Sequence, residues 1–260
     1  LFEIFKQWRL LFRMVERDLR SKYVGSLIGV FWTIINPLLL LLVFTFIFAI
    51  VFRARFGIGN GVSGSALYIL AGLIPWLGFQ EGVARSASCL LENRSLVSRV
   101  KFPIEVLPPV PVLSAFFGQM VGFVVLLFWA GASGRLDFPA VLFLPAWMVL
   151  QLAFALGLGY LFSAAAVWGR DLLQIIPVLL LVWMYATPIF YPATLVPENF
   201  QVVVQLNPLA ALVNGYRSMI LEGKMPGMNQ TLFLFGAALI TLVAGFGIFS
   251  KLKKFIADRI

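Results

Sequence analysis

Long apolar stretches separated by short polar ones dominate the chain. Six of them are long enough to cross a hydrocarbon core, which takes roughly 20 apolar residues as helix. They lie near 27–52, 66–89, 104–130, 140–168, 172–191 and 231–250. Five carry no charge between their ends, apart from Glu105 at the start of the third. The second holds Glu81 and Arg85 near its end. Their i, i+4 spacing lets them pair on one helix face, at the water interface. The pattern predicts an all-α membrane protein: one transmembrane domain over 1–260, six helices and no soluble second domain.

Residues 1–22 have a different rhythm. Ile4, Trp8, Leu11, Phe12, Val15 and Leu19 share one helical face, while Lys6, Arg9, Arg13, Arg17 and Arg20 occupy the far side. A basic amphipathic helix with aromatics on its apolar face lies in the plane of the membrane surface; the alternative is a helix packed on a soluble partner, and both hold if that partner sits beneath the membrane. Residues 90–103, LLENRSLVSRVKFP, form a short basic loop. It reads either as a topology marker or as a short helix that touches another protein. Residues 193–227 are long for a connection and include the uncharged run NFQVVVQLNPLAALVNGY at 199–216. Its three asparagines, two glutamines and one proline weigh against a clean crossing. Backbone that enters a membrane without spanning it must be covered by protein or line a water-filled cavity. One or two short re-entrant or interfacial helices are therefore expected there.

Composition agrees with the pattern and narrows the chemistry. Hydrophobic residues make up 61% and charged residues 12%, against about 25% charged in a soluble domain. With the N-terminus in the cytoplasm, fifteen lysines and arginines fall on inside segments and five on outside ones. That asymmetry places both termini inside, and it accounts for the net charge of +9 without nucleic acid. There is no histidine, and Cys89 is the single cysteine. Histidine acid–base chemistry, histidine metal ligands and an intrachain disulfide are thus excluded. No phosphate loop occurs; the nearest string, EGKMP at 222–226, lacks the first glycine and the hydroxyl residue. The outer acids Asp137, Glu198 and Glu222 lie far apart in sequence. A membrane-embedded enzyme would need close carboxylates or a metal site. Acid pairs deep within spans, expected of ion-coupled transport, are missing too. A transporter built this way must borrow its energy.

Four blocks, in order, carry a resemblance. They are YVGSLIGVFWTIINPL at 23–38, RVKFPIEVLP at 99–108, RDLLQIIPVLLLVWMYATPIFYP at 170–192 and LNPLAALVNGYRSMIL at 206–221. Together with the hydropathy pattern they make the chain resemble, over almost its whole length, the membrane subunit of bacterial type-2 ABC exporters for polysaccharides. These are the permeases of O-antigen, capsule and teichoic acid. The resemblance implies a homodimer in the bacterial inner membrane. It also implies two copies of a separate ATPase that binds ATP and Mg, no cofactor in this chain, and a path for a lipid-linked polysaccharide at the dimer interface. It places a coupling helix in the loop after the second span, with Glu92, Arg94, Arg99 and Lys101 as contacts. Arg170 and Asp171, at the start of the fifth span, are candidates for a second contact zone. Related permeases move drugs or small lipids, which is the alternative cargo. An enzyme acting on polyprenyl-linked sugars and a structural scaffold are the readings from other classes.

The stretch WMYATPIFYP at 183–192 closes a 21-residue run without charge. A belt at the bilayer interface would explain its aromatics. Its prolines suggest a broken helix. In an exporter of sugar polymer, aromatic faces can stack on sugar rings, and tyrosine hydroxyls add hydrogen bonds. Tyr185 and Tyr191 are the expected path-lining rings. Trp183 and Phe190 share a face at helical spacing and are expected to pack on protein or lipid. Phe31 and Trp32 are the weaker candidates for the path.

Overall fold

The computed structural model describes residues 7–22, 29–44, 46–47, 51, 62–97, 102–134, 136 and 138–259. These residues form helices joined by turns. In chain order they are α1 (Trp8–Ser21), α2 (Trp32–Phe44), α3 (Val62–Glu92), α4 (Arg94–Val97), α5 (Pro109–Ala132), α6 (Phe138–Val141), α7 (Leu144–Trp168), α8 (Leu172–Ala186), α9 (Gln201–Gln205), α10 (Pro208–Leu221) and α11 (Met228–Arg259). Among the described residues, four stretches are long and apolar enough to cross a membrane: Gly64–Glu92, Ile104–Ala132, Pro139–Trp168 and Met228–Ile256.

α3 is the central element. Of its most apolar window 78% is buried inside the protein, against 22% for α11. It packs against α5, α7 and α10. α7 in turn carries α11 along its length. Glycine allows that approach: a Cβ at Gly245 would overlap the Gly157 carbonyl, and one at Gly157 would overlap the Thr241 backbone. Small residues at crossings let helix backbones meet closely where no water is available to drive association.

The stretches expected as first and fifth spans differ from the other four. α2 has 13 residues, and part of the 27–52 stretch lies outside the described residues. α8 has 15 residues, about 22 Å of helix, short of a core of about 30 Å. It stops at Ala186 because Thr187 precedes Pro188. The proline ring disfavours helical geometry at the residue before it, and Thr187 is extended at φ −96°, ψ 132°. The last helix exceeds its expected bounds and runs on to Arg259.

Residues 193–227 carry two short 3-10 turns and the helices α9 and α10. Asn207 caps α10, its side chain accepting from the Leu209 N–H at 3.0 Å, with Pro208 in the first turn. Both are favoured positions for those residue types. α10 is buried along most of its length, from Leu209 to Leu221. The uncharged run thus folds into protein. Beyond the apolar bundle, Leu90, Val97, Ile104, Leu107, Tyr160 and Phe249 form a second core. It joins the ends of α3, α7 and α11 to α4.

Candidate transport path and coupling surface

α8 has a narrow buried edge, Ile176 and Leu180, and a wide exposed face with Ile175, Val178, Leu179, Val182 and Tyr185. The aromatics at its end divide between protein and surface. Trp183 is half-buried, edge-on to Phe79 at 5.9 Å and to Phe154 at 6.2 Å. Its indole N–H donates to Asn207 Oδ1 at 2.9 Å, and the Asn207 amide donates to Thr187 Oγ1 at 2.9 Å. Tyr185 is 61% exposed. Helical spacing does not carry past Ala186, so Phe190 comes beside Tyr185, with centroids 6.0 Å apart. Phe190 also stacks on Phe44 of α2 at 5.5 Å. The Tyr191 hydroxyl donates to the Tyr185 carbonyl at 2.7 Å. Phe31 is exposed and Trp32 half-buried.

The break after α8 frees backbone carbonyls, and Arg217 of α10 takes them up. Its guanidinium donates to Pro188 O at 2.6 Å and Ile189 O at 2.7 Å. Its Nε donates to Tyr68 O at 3.1 Å, and the guanidinium carbon lies 3.6 Å from the centre of the Tyr68 ring. Only 3% of Arg217 is exposed. The forked donor geometry of arginine suits this task, since one planar group reaches two adjacent carbonyls. Charge-pattern reading counts Arg217 only as a topology charge. The signal for more is its place as the one charged residue in 199–221.

A second buried polar group lies in the bundle interior. Gln119 of α5 and Gln151 of α7 exchange amide hydrogen bonds at 2.9 Å in both directions. Gln151 also donates to Pro75 O at 2.9 Å and accepts from the Tyr216 hydroxyl at 2.7 Å. Four helices are thereby tied at one point, as buried amides must be paired to be tolerated. Gln119 also faces a cavity of about 830 Å³ between α2, α3 and α5. The cavity walls are mainly aliphatic residues and glycines, and Lys22, Glu81 and Arg85 line it together with them.

Those three charges belong to a network that docks α1. Arg85 donates to Asp18 at 2.6 Å and to Glu81 at 3.5 Å, and Lys22 donates to Glu81 at 2.6 Å. Burial alone would raise the Asp18 carboxyl, but the Arg85 hydrogen bond and the charges of Arg85 and Lys22 outweigh it and hold the pKa below the usual carboxylate value. The expected Glu81–Arg85 pair therefore exists, but its principal partners are Asp18 of α1 and Lys22 just after it.

Of the coupling candidates, four fall within the described residues. Glu92 ends α3 and is exposed; Arg94 opens α4 and is exposed; Val97 anchors α4 in the second core. Arg99 and Lys101 lie outside the described residues. Arg170 and Asp171 are both exposed in the turn between α7 and α8. The Asp171 carbonyl accepts from Gln174 and Ile175 N–H, while its side chain makes no cap hydrogen bond. Glu105 is nearly buried and pairs with Lys253 of α11.

The ABC-2 type transporter family matches residues 9–221. An O-antigen export system permease protein of Myxococcus xanthus is 29% identical over 99% of this chain and 98% of its own length. A Klebsiella pneumoniae protein of the same name is 28% identical, covering 96% and 94%. A polysialic acid transport protein of Escherichia coli is 23% identical, covering 90% and 89%.

Proposed function

The chain belongs to the ABC-2 type transporter family, and from that premise we propose that it is the permease of an ATP-driven exporter of lipid-linked O-antigen or capsular polysaccharide. The observation that carries the cargo is collinearity: relatives named for O-antigen and polysialic acid export align with this chain almost end to end. The ATPase is a separate protein in such systems. The finer picture is a homodimer in the bacterial inner membrane, with six spans per copy and both termini cytoplasmic. Two ATPase copies lie beneath it, and the polymer path runs at the dimer interface.

Three features support that picture. The exposed apolar faces of α2 and α8 suit a dimer seam or lipid better than water. Exposed Tyr185 and half-buried Tyr191 stand at one end of α8, where the polymer would leave. Arg94 and the exposed end of α3 offer a small knob to the ATPase, backed by the second core. α3 links the two ends. Tyr68 meets Arg217 near its start and Arg85 meets Asp18 near its finish, 17 residues or about 26 Å apart along the helix. A displacement at the ATPase side is thus delivered to the broken segment by one element.

The test is co-expression with a candidate partner ATPase, co-purification, and measurement of surface polymer after deletion of this chain. Loss of surface polymer with internal accumulation of lipid-linked polymer is expected. Unchanged surface polymer, with efflux of a drug or a small lipid lost instead, would overturn the cargo.

A further inference from the structure

α1 presents three edges with different surroundings. Val15 is buried, Met14 packs on the second core and Asp18 binds Arg85, so this edge holds the bundle. Trp8 and Phe12, one turn apart, are 59% and 58% exposed. About 100° further round the helix from them stand Arg9, Arg13 and Arg17, again one turn apart and all exposed. Arg20 is held by Glu16 at 2.5 Å. Arg9, Arg13 and Arg17 have no acidic partner among the described residues.

We propose that this face is a binding surface for anionic phospholipid, with Trp8 and Phe12 in the acyl boundary and the guanidinium groups of Arg9, Arg13 and Arg17 on phosphodiester headgroups. The inference rests on the inner-membrane reading proposed above, with α1 at the membrane surface as its amphipathic sequence leads one to expect, and not on the cargo. Charge complementarity and depth both select the occupant. Arginine forks match phosphate oxygens. An amphipathic helix sinks its apolar face about 5–10 Å into the headgroup boundary, which submerges the aromatics and leaves the arginines level with the phosphates. An acidic protein partner would satisfy the arginines but leave two large aromatics unexplained. The other edge is fixed by the Asp18–Arg85 and Lys22–Glu81 pairs, so the helix is held ready in this orientation. Its charges do not have to be gathered on binding.

The experiment uses the whole permease–ATPase complex, reconstituted in vesicles of equal parts phosphatidylcholine and phosphatidylglycerol and then extracted in detergent. Each lipid retained per complex is counted by mass spectrometry at low and at high salt. Wild type is expected to retain phosphatidylglycerol over phosphatidylcholine. The preference should weaken about fivefold for each arginine removed, and about a hundredfold in an R9Q/R13Q/R17Q variant at low ionic strength. It should fall for wild type at high salt, because surface charges are screened. An R9K/R13K/R17K variant should keep most of it. Equal phosphatidylglycerol retention in the glutamine variant overturns the proposal. So does loss of the ATPase from that variant with retention unchanged, which would make the strip a protein surface. A complex that retains phosphatidylglycerol yet exports no polysaccharide leaves this inference standing and defeats the cargo alone.

Discussion

Replacing Arg217 with methionine keeps much of the side-chain volume and removes three donors and the charge above Tyr68. The acceptors left behind are Pro188 O, Ile189 O and Tyr68 O, formerly at 2.6, 2.7 and 3.1 Å. Each buried acceptor without a partner costs about 1–3 kcal/mol, so three cost about 3–9 kcal/mol. Water can reach a turn more easily than a helix interior, which favours the lower end, about 3 kcal/mol. For a chain of this size each 1 kcal/mol moves the thermal midpoint by about 2–4 °C. R217M should therefore melt about 10 °C below wild type, read from the purified permease–ATPase complex in detergent. R217K should fall between the two, because one ammonium cannot match two adjacent carbonyls in fork geometry. Surface polymer should drop in R217M cells even when complex levels are equalised, since the turn after α8 loses its fastening. An R217M complex with wild-type midpoint and wild-type export would refute the reasoning: the carbonyls would then have other partners.

Three further outcomes are expected. Alanine at Tyr185 and Tyr191 should lower surface polymer while the complex still assembles, as judged by co-purified ATPase; full export would make these rings an interfacial belt. Charge reversal at Arg94 and Arg99 should leave ATP hydrolysis running while polymer export falls; normal export would remove the loop from the coupling path. Because the Asp18 pKa is below the ordinary 3.8, its contribution to docking α1 is complete above that value and fades as pH falls through the lower folded one. A D18N/R85Q double-mutant cycle should give a coupling of about 1 kcal/mol near neutral pH, as the pair is partly exposed, and none well below the ordinary carboxylate range.

Hydropathy made the long helices legible because apolar length is what a bilayer demands. The stretches that include α3, α5 and α7 can be read within a few residues, whereas α11 runs on past its expected end to Arg259, and the stripe of Trp8, Phe12 and Val15 shows α1. What periodicity could not show was which polar side chain meets which. Glu81 and Arg85 read as a local pair because i, i+4 spacing is visible along the chain. Their bonds to Lys22 and Asp18 join residues 59 and 67 positions apart, and only packing creates those. The same holds for Gln119 and Gln151, each an isolated polar residue in an apolar stretch until the helices bring them together.

The broken fifth stretch is the most instructive case. Twenty-one uncharged residues at 172–192 satisfy the hydropathy criterion for a span, and Pro188 marks a break but not the partners of the backbone beyond it. A break in an apolar setting is stable only if the freed carbonyls find donors. In the sequence, those donors belong to a residue 29 positions away from Pro188. Arg217 would be expensive to bury alone, and an open turn at Pro188 would be expensive to leave unpaired. Each removes the other's penalty, so the two irregularities form a single feature. Pro188 and Arg217 should therefore be replaced together or not at all. A substitution that restores helix at 188 would strand the Arg217 charge, just as R217M strands the carbonyls.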